Sequence, residues 1–128
     1  KLADGSYRRV TKDQMVYDFN PDCKLISVSD RNGNQTSYFY DSEQRLTKIV
    51  DPVGLETTLT YNANSKVSKI TDPGDRETTM TYDGAGNLTR ITDPDGTSRN
   101  WTYDDQHHMV SEVDKRGNSE QAFYDFLP

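Results

Sequence analysis

The sequence has one cysteine, Cys23, so no disulfide bond can form within the chain. Only 31% of its residues are hydrophobic, and no apolar run approaches the length of a membrane-spanning helix. Its formal charge is −6 and its basic residues form no run, which argues against nucleic acid or an anionic membrane as a partner. A chain this poor in apolar residues is either disordered or folded without a large core.

An aromatic residue recurs every 21 positions, and this period decides between the two alternatives. The column consists of Phe19, Tyr40, Tyr61, Tyr82, Tyr103 and Tyr124. An aspartate follows the first five of them after 11 residues, namely Asp30, Asp51, Asp72, Asp93 and Asp114. A disordered chain has no physical reason to keep such a register, whereas a fixed period of this length is the signature of a repeat protein.

Each repeat has the pattern of a β-hairpin. The segment from Thr78 to Tyr82 alternates polar and apolar residues, which is typical of a half-buried strand. Turn-forming residues follow, then a return strand from Leu88 to Thr92. The repeat ends in Asp93-Pro94-Asp95-Gly96, whose order of residues matches a type I turn. The sequence therefore predicts an all-β fold, an antiparallel meander of 21-residue β-hairpin repeats.

The sequence leaves two alternatives for how the apolar residues of the return strand reach one face of the sheet. Leu88 and Ile91 are three residues apart, and strict alternation cannot place both side chains on one face of a sheet. Either a β-bulge restores the register or the leucine packs at the end of the strand.

The domain organisation follows the period. Residues 1–18 fit it poorly and are predicted to form an irregular lead-in hairpin with Met15, Val16 and Tyr17 in its second strand. Residues 19–128 are predicted to form the repeat sheet, with units 19–39, 40–60, 61–81, 82–102 and 103–123 and the start of a sixth. Because the pattern runs up to the last residues, we expect the chain to be a segment of a longer protein.

These residues resemble the YD repeat of the rearrangement-hotspot (Rhs) family, which is shared with teneurins, Tc-toxin C components and wall-associated bacterial toxins. The family pattern Y-D-x-x-G-N/R-L-x-x-I-x-D-P-x-G, with Y-x-Y-D opening the next unit, matches residues 82–104 almost residue for residue. The resemblance covers residues 19–125. Asp75 departs from the pattern, since it stands where the turn glycine belongs and Gly74 comes one place early.

The resemblance implies a curved sheet that spirals into a hollow shell. It also implies a structural role in a secreted or cell-surface protein, in which the shell encloses or carries a toxin or effector domain. Expected partners are further repeats of the same or a neighbouring chain, an enclosed toxin domain, or surface glycans. Two other functions stay open, namely a self-assembling extracellular fibre subunit and a carbohydrate-binding or adhesive surface.

The aspartate column allows two interpretations. Carboxylates and turn carbonyls are ligands for calcium. Alternatively, each aspartate accepts hydrogen bonds from the backbone N–H groups of its own turn. Equivalent residues lie two strands apart, about 9.6 Å at the usual strand spacing, which is too far for two of them to share an ion. We therefore expect the aspartates to stabilise their turns and to bind no metal.

The aromatic column likewise allows packing within the sheet or stacking on sugars, and the periodic leucine and isoleucine residues favour packing. Adjacent residues of a strand or turn point apart, so His107 and His108 are expected to be surface residues and not metal ligands. No catalytic or cofactor-binding residue is predicted, and we expect no enzyme. The predicted structural positions of the repeat are Tyr40, Tyr61, Tyr82, Tyr103, Tyr124, Asp30, Asp51, Asp72, Asp93, Asp114, Gly54 and Gly96.

Overall fold

The chain folds into strands joined by short turns. A computed structural model describes residues 1–122, so Tyr124 and the start of the predicted sixth unit lie outside the described residues. The strands are β1 Tyr7–Val10, β2 Val16–Phe19, β3 Leu25–Ser29, β4 Gln35–Tyr40, β5 Leu46–Val50, β6 Glu56–Tyr61, β7 Val67–Thr71, β8 Glu77–Tyr82, β9 Leu88–Thr92, β10 Ser98–Tyr103, β11 Met109–Val113 and β12 Ser119–Gln121. Their order in the sheet is their order in the chain. The predicted all-β meander is confirmed.

Two compact units make up the chain. The first consists of residues 1–59 with 72–74, and the second of residues 60–71 with the described residues from 75 onward. Within the first unit each strand from β1 to β5 pairs antiparallel with the next one in the chain. Within the second unit the strands from β7 to β12 pair in the same way. Hairpins are therefore the building blocks of both units.

A β-bulge beside four residues of the aromatic column settles the register of the return strand. Thr81 lies opposite Arg90 and Tyr82 lies opposite Leu88, so Thr89 has no residue opposite it. This extra residue lets Leu88 share a face with Ile91, which lies opposite Met80. The same shift occurs between Asp18 and Phe19, between Phe39 and Tyr40, and between Thr102 and Tyr103.

The turns share one hydrogen-bond pattern. In the turn from Asp51 to Leu55, the Asp51 N–H donates to the Leu55 carbonyl and the Gly54 N–H donates to the Asp51 carbonyl, each at 3.0 Å. Gly54 has φ +89°, as expected for a hairpin loop in which a left-handed residue follows a type I turn. Six other residues have a φ of 58° to 67° without being glycine, namely Gln14, Cys23, Gln44, Ser65, Asp75 and His107. Asp75 thus takes the conformation that the repeat assigns to glycine.

The lead-in segment contains two turns of this same kind. The Leu2 N–H donates to the Ser6 carbonyl, and the Thr11 N–H donates to the Met15 carbonyl. Strand β2 begins at Val16, so the prediction that Met15 belongs to the second strand is wrong. The turn from Thr11 to Met15 contains neither glycine nor proline, the two residues that mark most turns in a sequence.

No apolar side chain is buried in the part of the chain that the structure describes. The aromatic and aliphatic side chains of one sheet face, such as Tyr38, Leu59 and Met80, are half-buried. Phe39, on the opposite face, is 46% exposed. Side chains therefore cover one another along the sheet, so each repeat depends for its stability on the repeats beside it. The described residues form no helix that is long and apolar enough to cross a membrane.

The left-handed turn position generates a prediction about stability. Ser65 has φ +58° and is exposed, so glycine at this position relieves steric strain. We expect Ser65→Gly to raise the free energy of unfolding by about 0.5–1 kcal/mol. Gly54 has φ +89°, so Gly54→Ala should lower the free energy of unfolding by more than about 1 kcal/mol. Urea denaturation measures both, and equal midpoints for the two variants would contradict the assignment of strain.

Candidate functional site

Tyrosine hydroxyls connect three of the repeats to the one before each of them. The Tyr40 hydroxyl donates to the Leu25 carbonyl at 2.8 Å, across the two strands β4 and β3. In the second unit Tyr82 donates to Val67 at 2.7 Å, and Tyr103 donates to Leu88 at 2.9 Å. In all three cases the acceptor lies 15 residues earlier and begins the preceding return strand. We call this series the tyrosine ladder.

A second series of hydroxyls lies at the β-bulges. The Thr47 hydroxyl donates to the Phe39 carbonyl at 3.3 Å, and the Thr89 hydroxyl donates to the Thr81 carbonyl at 3.2 Å. Ser68 makes the same bond to Thr60 at 3.2 Å. A bulge interrupts the backbone ladder, so these side chains supply a hydrogen bond at the point of interruption. These side chains are not among the predicted structural positions, although a hydroxyl recurs every 21 residues at 47, 68 and 89.

The turn aspartates mostly accept hydrogen bonds from their own turns. Asp51 Oδ1 accepts the N–H groups of Val53 and Leu55, both at 2.9 Å. Asp30 and Asp114 accept the two equivalent N–H groups of their turns, and Asp72 Oδ1 accepts the Gly74 N–H. The turns that follow the aromatic residues use Asp41, Asp83 and Asp104 in the same way. A carboxylate thus replaces the backbone acceptors that a tight turn lacks.

Asp93 differs from the other members of its column. Its Oδ2 atom forms an ion pair with Nζ of Lys115, which belongs to the next turn on the same edge of the second unit. Lys115 occupies the place where Asp51-Pro52 and Asp93-Pro94 have proline. The departure from the repeat pattern therefore adds a charged contact between neighbouring repeats.

Hydrogen bonding lowers the pKa of several turn carboxyls below the ordinary value of 3.8. For Asp83 the main cause is the side-chain amide of Asn87, which donates to Oδ2 at 2.9 Å, and the Asn87 backbone N–H adds to it. Asn118 has the same effect on the pKa of Asp114. These groups favour the ionised form because they donate to it.

Apart from Tyr61, the remaining candidate residues lie in turns. His107 Nδ1 lies 2.6 Å from Asn87 Oδ1, while His108 Nδ1 lies 2.9 Å from Asp104 Oδ2. Cys23 is exposed in a turn, and Gly96 has φ +82°. Among residues 1–122, no three histidine, cysteine or acidic side chains converge as metal ligands do. Tyr61 lies at the end of β6 and is half-buried, as are the tyrosines of the ladder.

The tyrosine ladder predicts a cost for removing a single hydroxyl. Tyr40→Phe leaves the Leu25 carbonyl without its donor and should lower the free energy of unfolding by about 0.5–1.5 kcal/mol. Tyr38→Phe is the matched control, because Tyr38 lies on the same strand and face and its hydroxyl has no such carbonyl partner in the described region. We expect that variant to stay within about 0.5 kcal/mol of the wild type. Equal losses in urea denaturation would contradict a specific role for the hydroxyl.

The lowered pKa values predict acid sensitivity. Since the folded state holds the Asp83 carboxyl below its ordinary pKa of 3.8, its contribution to stability is complete above that pH and is lost as the pH falls further. Asp83→Asn should keep the turn, because Asn62 Oδ1 already accepts the Asn64 and Lys66 N–H groups in an equivalent turn. We expect the variant to lose less stability than the wild type between pH 5 and about pH 2.5. Parallel pH profiles from urea denaturation would show that Asp83 makes no such contribution.

Known structures contain similar folds. The Photorhabdus luminescens Tc holotoxin pore with a mutation in TccC3 has a TM-score of 0.60 and 20% identity over 80% of this chain. The crystal structure of TcdB2-TccC3 has a TM-score of 0.59 and 18% identity over the same share. This chain spans only 5% and 6% of the lengths of those two chains. At this identity the likeness shows a shared fold. No curated protein matched the sequence.

The family comparison is more specific. The model of the RHS Repeat matches four overlapping segments, residues 24–57, 40–77, 61–98 and 82–119. Successive matches begin 16 to 21 residues apart, so the repeated unit of the family coincides with the 21-residue period of the chain. The matched residues cover well over half of the sequence, and the chain therefore belongs to the RHS Repeat family.

Proposed function

We propose that the chain is a segment of wall in a β-sheet shell, within a secreted or cell-surface protein whose shell encloses or carries a toxin or effector domain. Its direct partners are further repeats that continue the sheet. The role is structural and not enzymatic. The proposal extends the family membership, since the two structural neighbours named above are components of toxin complexes.

The tyrosine ladder is the observation that supports this function most. Each of its hydrogen bonds joins one repeat to the preceding one, so a repeat contributes its full stability only when it has neighbours. The repeated polar side chains are also committed to the fold, since turn aspartates bind turn N–H groups and bulge hydroxyls bind carbonyls. Polar side chains that stabilise turns and bulges in this way suit a structural wall, and few of them are left to act in catalysis.

Among residues 1–122 no apolar side chain is buried, which supports the same conclusion. Large aromatic side chains such as Tyr82 and Trp101 are only half-buried in the described part of the chain. A continued sheet shields such residues further, because additional repeats cover the free edge strands and their side chains. In a fibre, copies of the chain would cover the free edge strands in the same way. The form of the assembly, a closed shell or a filament, therefore distinguishes the shell wall from the fibre subunit.

The test uses the intact protein that contains these repeats. We expect electron microscopy to show closed hollow particles with the repeats in the wall, and limited proteolysis to spare a domain inside the particle. Tyr82→Ala removes a half-buried side chain and one member of the ladder, so it should make that inner domain accessible to protease. Thr81→Ser is the matched control, because Thr81 is the exposed neighbour of Tyr82 on the opposite face.

Three results would contradict this function. Regular filaments would favour the fibre subunit instead. Binding of the aromatic face to glycans, lost in Tyr82→Ala, would favour the adhesive surface. Full protease sensitivity of every domain in the wild-type particle would show that the repeats enclose nothing.

A further inference from the structure

One turn of the sheet combines an asparagine with a following glycine. Asn32 and Gly33 lie in the turn between β3 and β4, and both residues are exposed. Asn32 is the only one of the chain's asparagines that precedes a glycine. Equivalent turn positions on the same edge hold Val53, Gly74, Asp95 and Arg116, so the repeat does not require an amide there.

The turn from Asn62 to Lys66 provides an internal comparison. Asn64 occupies the same place in its turn as Asn32 and is also exposed. The Asn32 N–H donates to Asp30 Oδ1 at 2.8 Å, and the Asn64 N–H donates to Asn62 Oδ1 at 2.9 Å. The next residue has a positive φ in both turns, 84° for Gly33 and 58° for Ser65. The two sites therefore differ mainly in the side chain that follows the asparagine.

The open space around Gly33 distinguishes the Asn32 turn from the Asn64 turn. Apart from Gly33 and its two chain neighbours, no residue has an atom within 4 Å of the position that a Cβ on Gly33 would occupy, and glycine leaves its own nitrogen unshielded. The Gly33 N–H donates to the Asp30 carbonyl at 3.1 Å, and the Ser65 N–H makes the matching bond at 3.0 Å. Both nitrogens must therefore release a similar hydrogen bond before they can react.

We propose that Asn32 is a site of spontaneous deamidation, with water as the only co-reactant. The Gly33 nitrogen loses its proton to solvent and its lone pair attacks Cγ of Asn32. The bond from Cγ to Nδ2 then breaks, and Nδ2 leaves as ammonia after taking a proton from water. Water opens the resulting cyclic imide at either carbonyl, which leaves aspartate or isoaspartate at position 32.

Both products alter this turn. Aspartate adds a negative charge two residues from Asp30 in a chain whose formal charge is already −6. Isoaspartate inserts one methylene into the main chain, a lengthening of about 1.5 Å. That lengthening cannot preserve both backbone hydrogen bonds of the turn. One is donated by the Gly33 N–H to the Asp30 carbonyl, and the other by the Asp30 N–H to the Asn34 carbonyl. Deamidation at Asn32 thus weakens the junction between β3 and β4 with time.

The experiment compares Asn32 with Asn64 in the intact protein. The folded protein is incubated at mildly alkaline pH, digested at intervals and mapped by mass spectrometry, with isoaspartate detected by enzymatic methylation. We expect Asn32 to convert faster than Asn64 by about tenfold or more, a barrier difference of ~1.4 kcal/mol or more. Circular dichroism of each sample verifies that the protein stays folded.

Reciprocal variants test the cause. Gly33→Ser should slow Asn32 to the rate of Asn64, and Ser65 shows that the turn accommodates serine at this conformation. Ser65→Gly should raise the deamidation rate of Asn64 to that of Asn32, and this variant is expected to fold at least as well as the wild type. Equal rates at the two asparagines, or unchanged rates in both variants, would overturn the proposal.

Discussion

The hydrogen bond from a tyrosine hydroxyl to a backbone carbonyl 15 residues earlier constrains the whole arrangement of repeats. Each such bond contributes only about 0.5–1.5 kcal/mol, but it forms only if donor and acceptor keep their spacing along the chain. A strand that slips by one residue turns every side chain to the other face. The tyrosine would then point away from its acceptor, so the ladder requires a constant period.

The turns and bulges supply that constancy. One period of 21 residues consists of two five-residue turns, a return strand of five residues and an aromatic strand of six residues. The bulge at Thr47 or Thr89 lets the five residues of a return strand lie opposite four residues of the preceding aromatic strand. The hydroxyl of that residue then bonds to the partner strand, so the irregularity costs less than an unpaired carbonyl would.

The strands and the turns marked by glycine or proline could be predicted from the sequence, because their signals are local. The return strand from Leu88 to Thr92 has the predicted bounds. The turn from Thr11 to Met15 could not be predicted, because tertiary pairing places Gln14, a residue without turn preference, at φ +65°. The tyrosine ladder could not be derived from the sequence either, since its acceptors are backbone carbonyls that carry no residue-type signal. The preference for tyrosine over phenylalanine from Tyr40 onward is the one available clue.

The distribution of strain shows how a repeat protein tolerates departures from its pattern. In the turns that begin with Asp51, Asp93 and their equivalents, glycine mostly takes the left-handed position, whereas Gln44 and Ser65 take it in turns that follow an aromatic residue. A left-handed residue with a side chain costs about 1–2 kcal/mol, a large share of the stability of a small domain. In a repeat array the energy is a sum over neighbouring units, so a strained turn weakens its own junction and leaves the others unchanged. The ion pair between Lys115 and Asp93 is equally local, since it joins two neighbouring turns at a place where the pattern has proline instead of lysine.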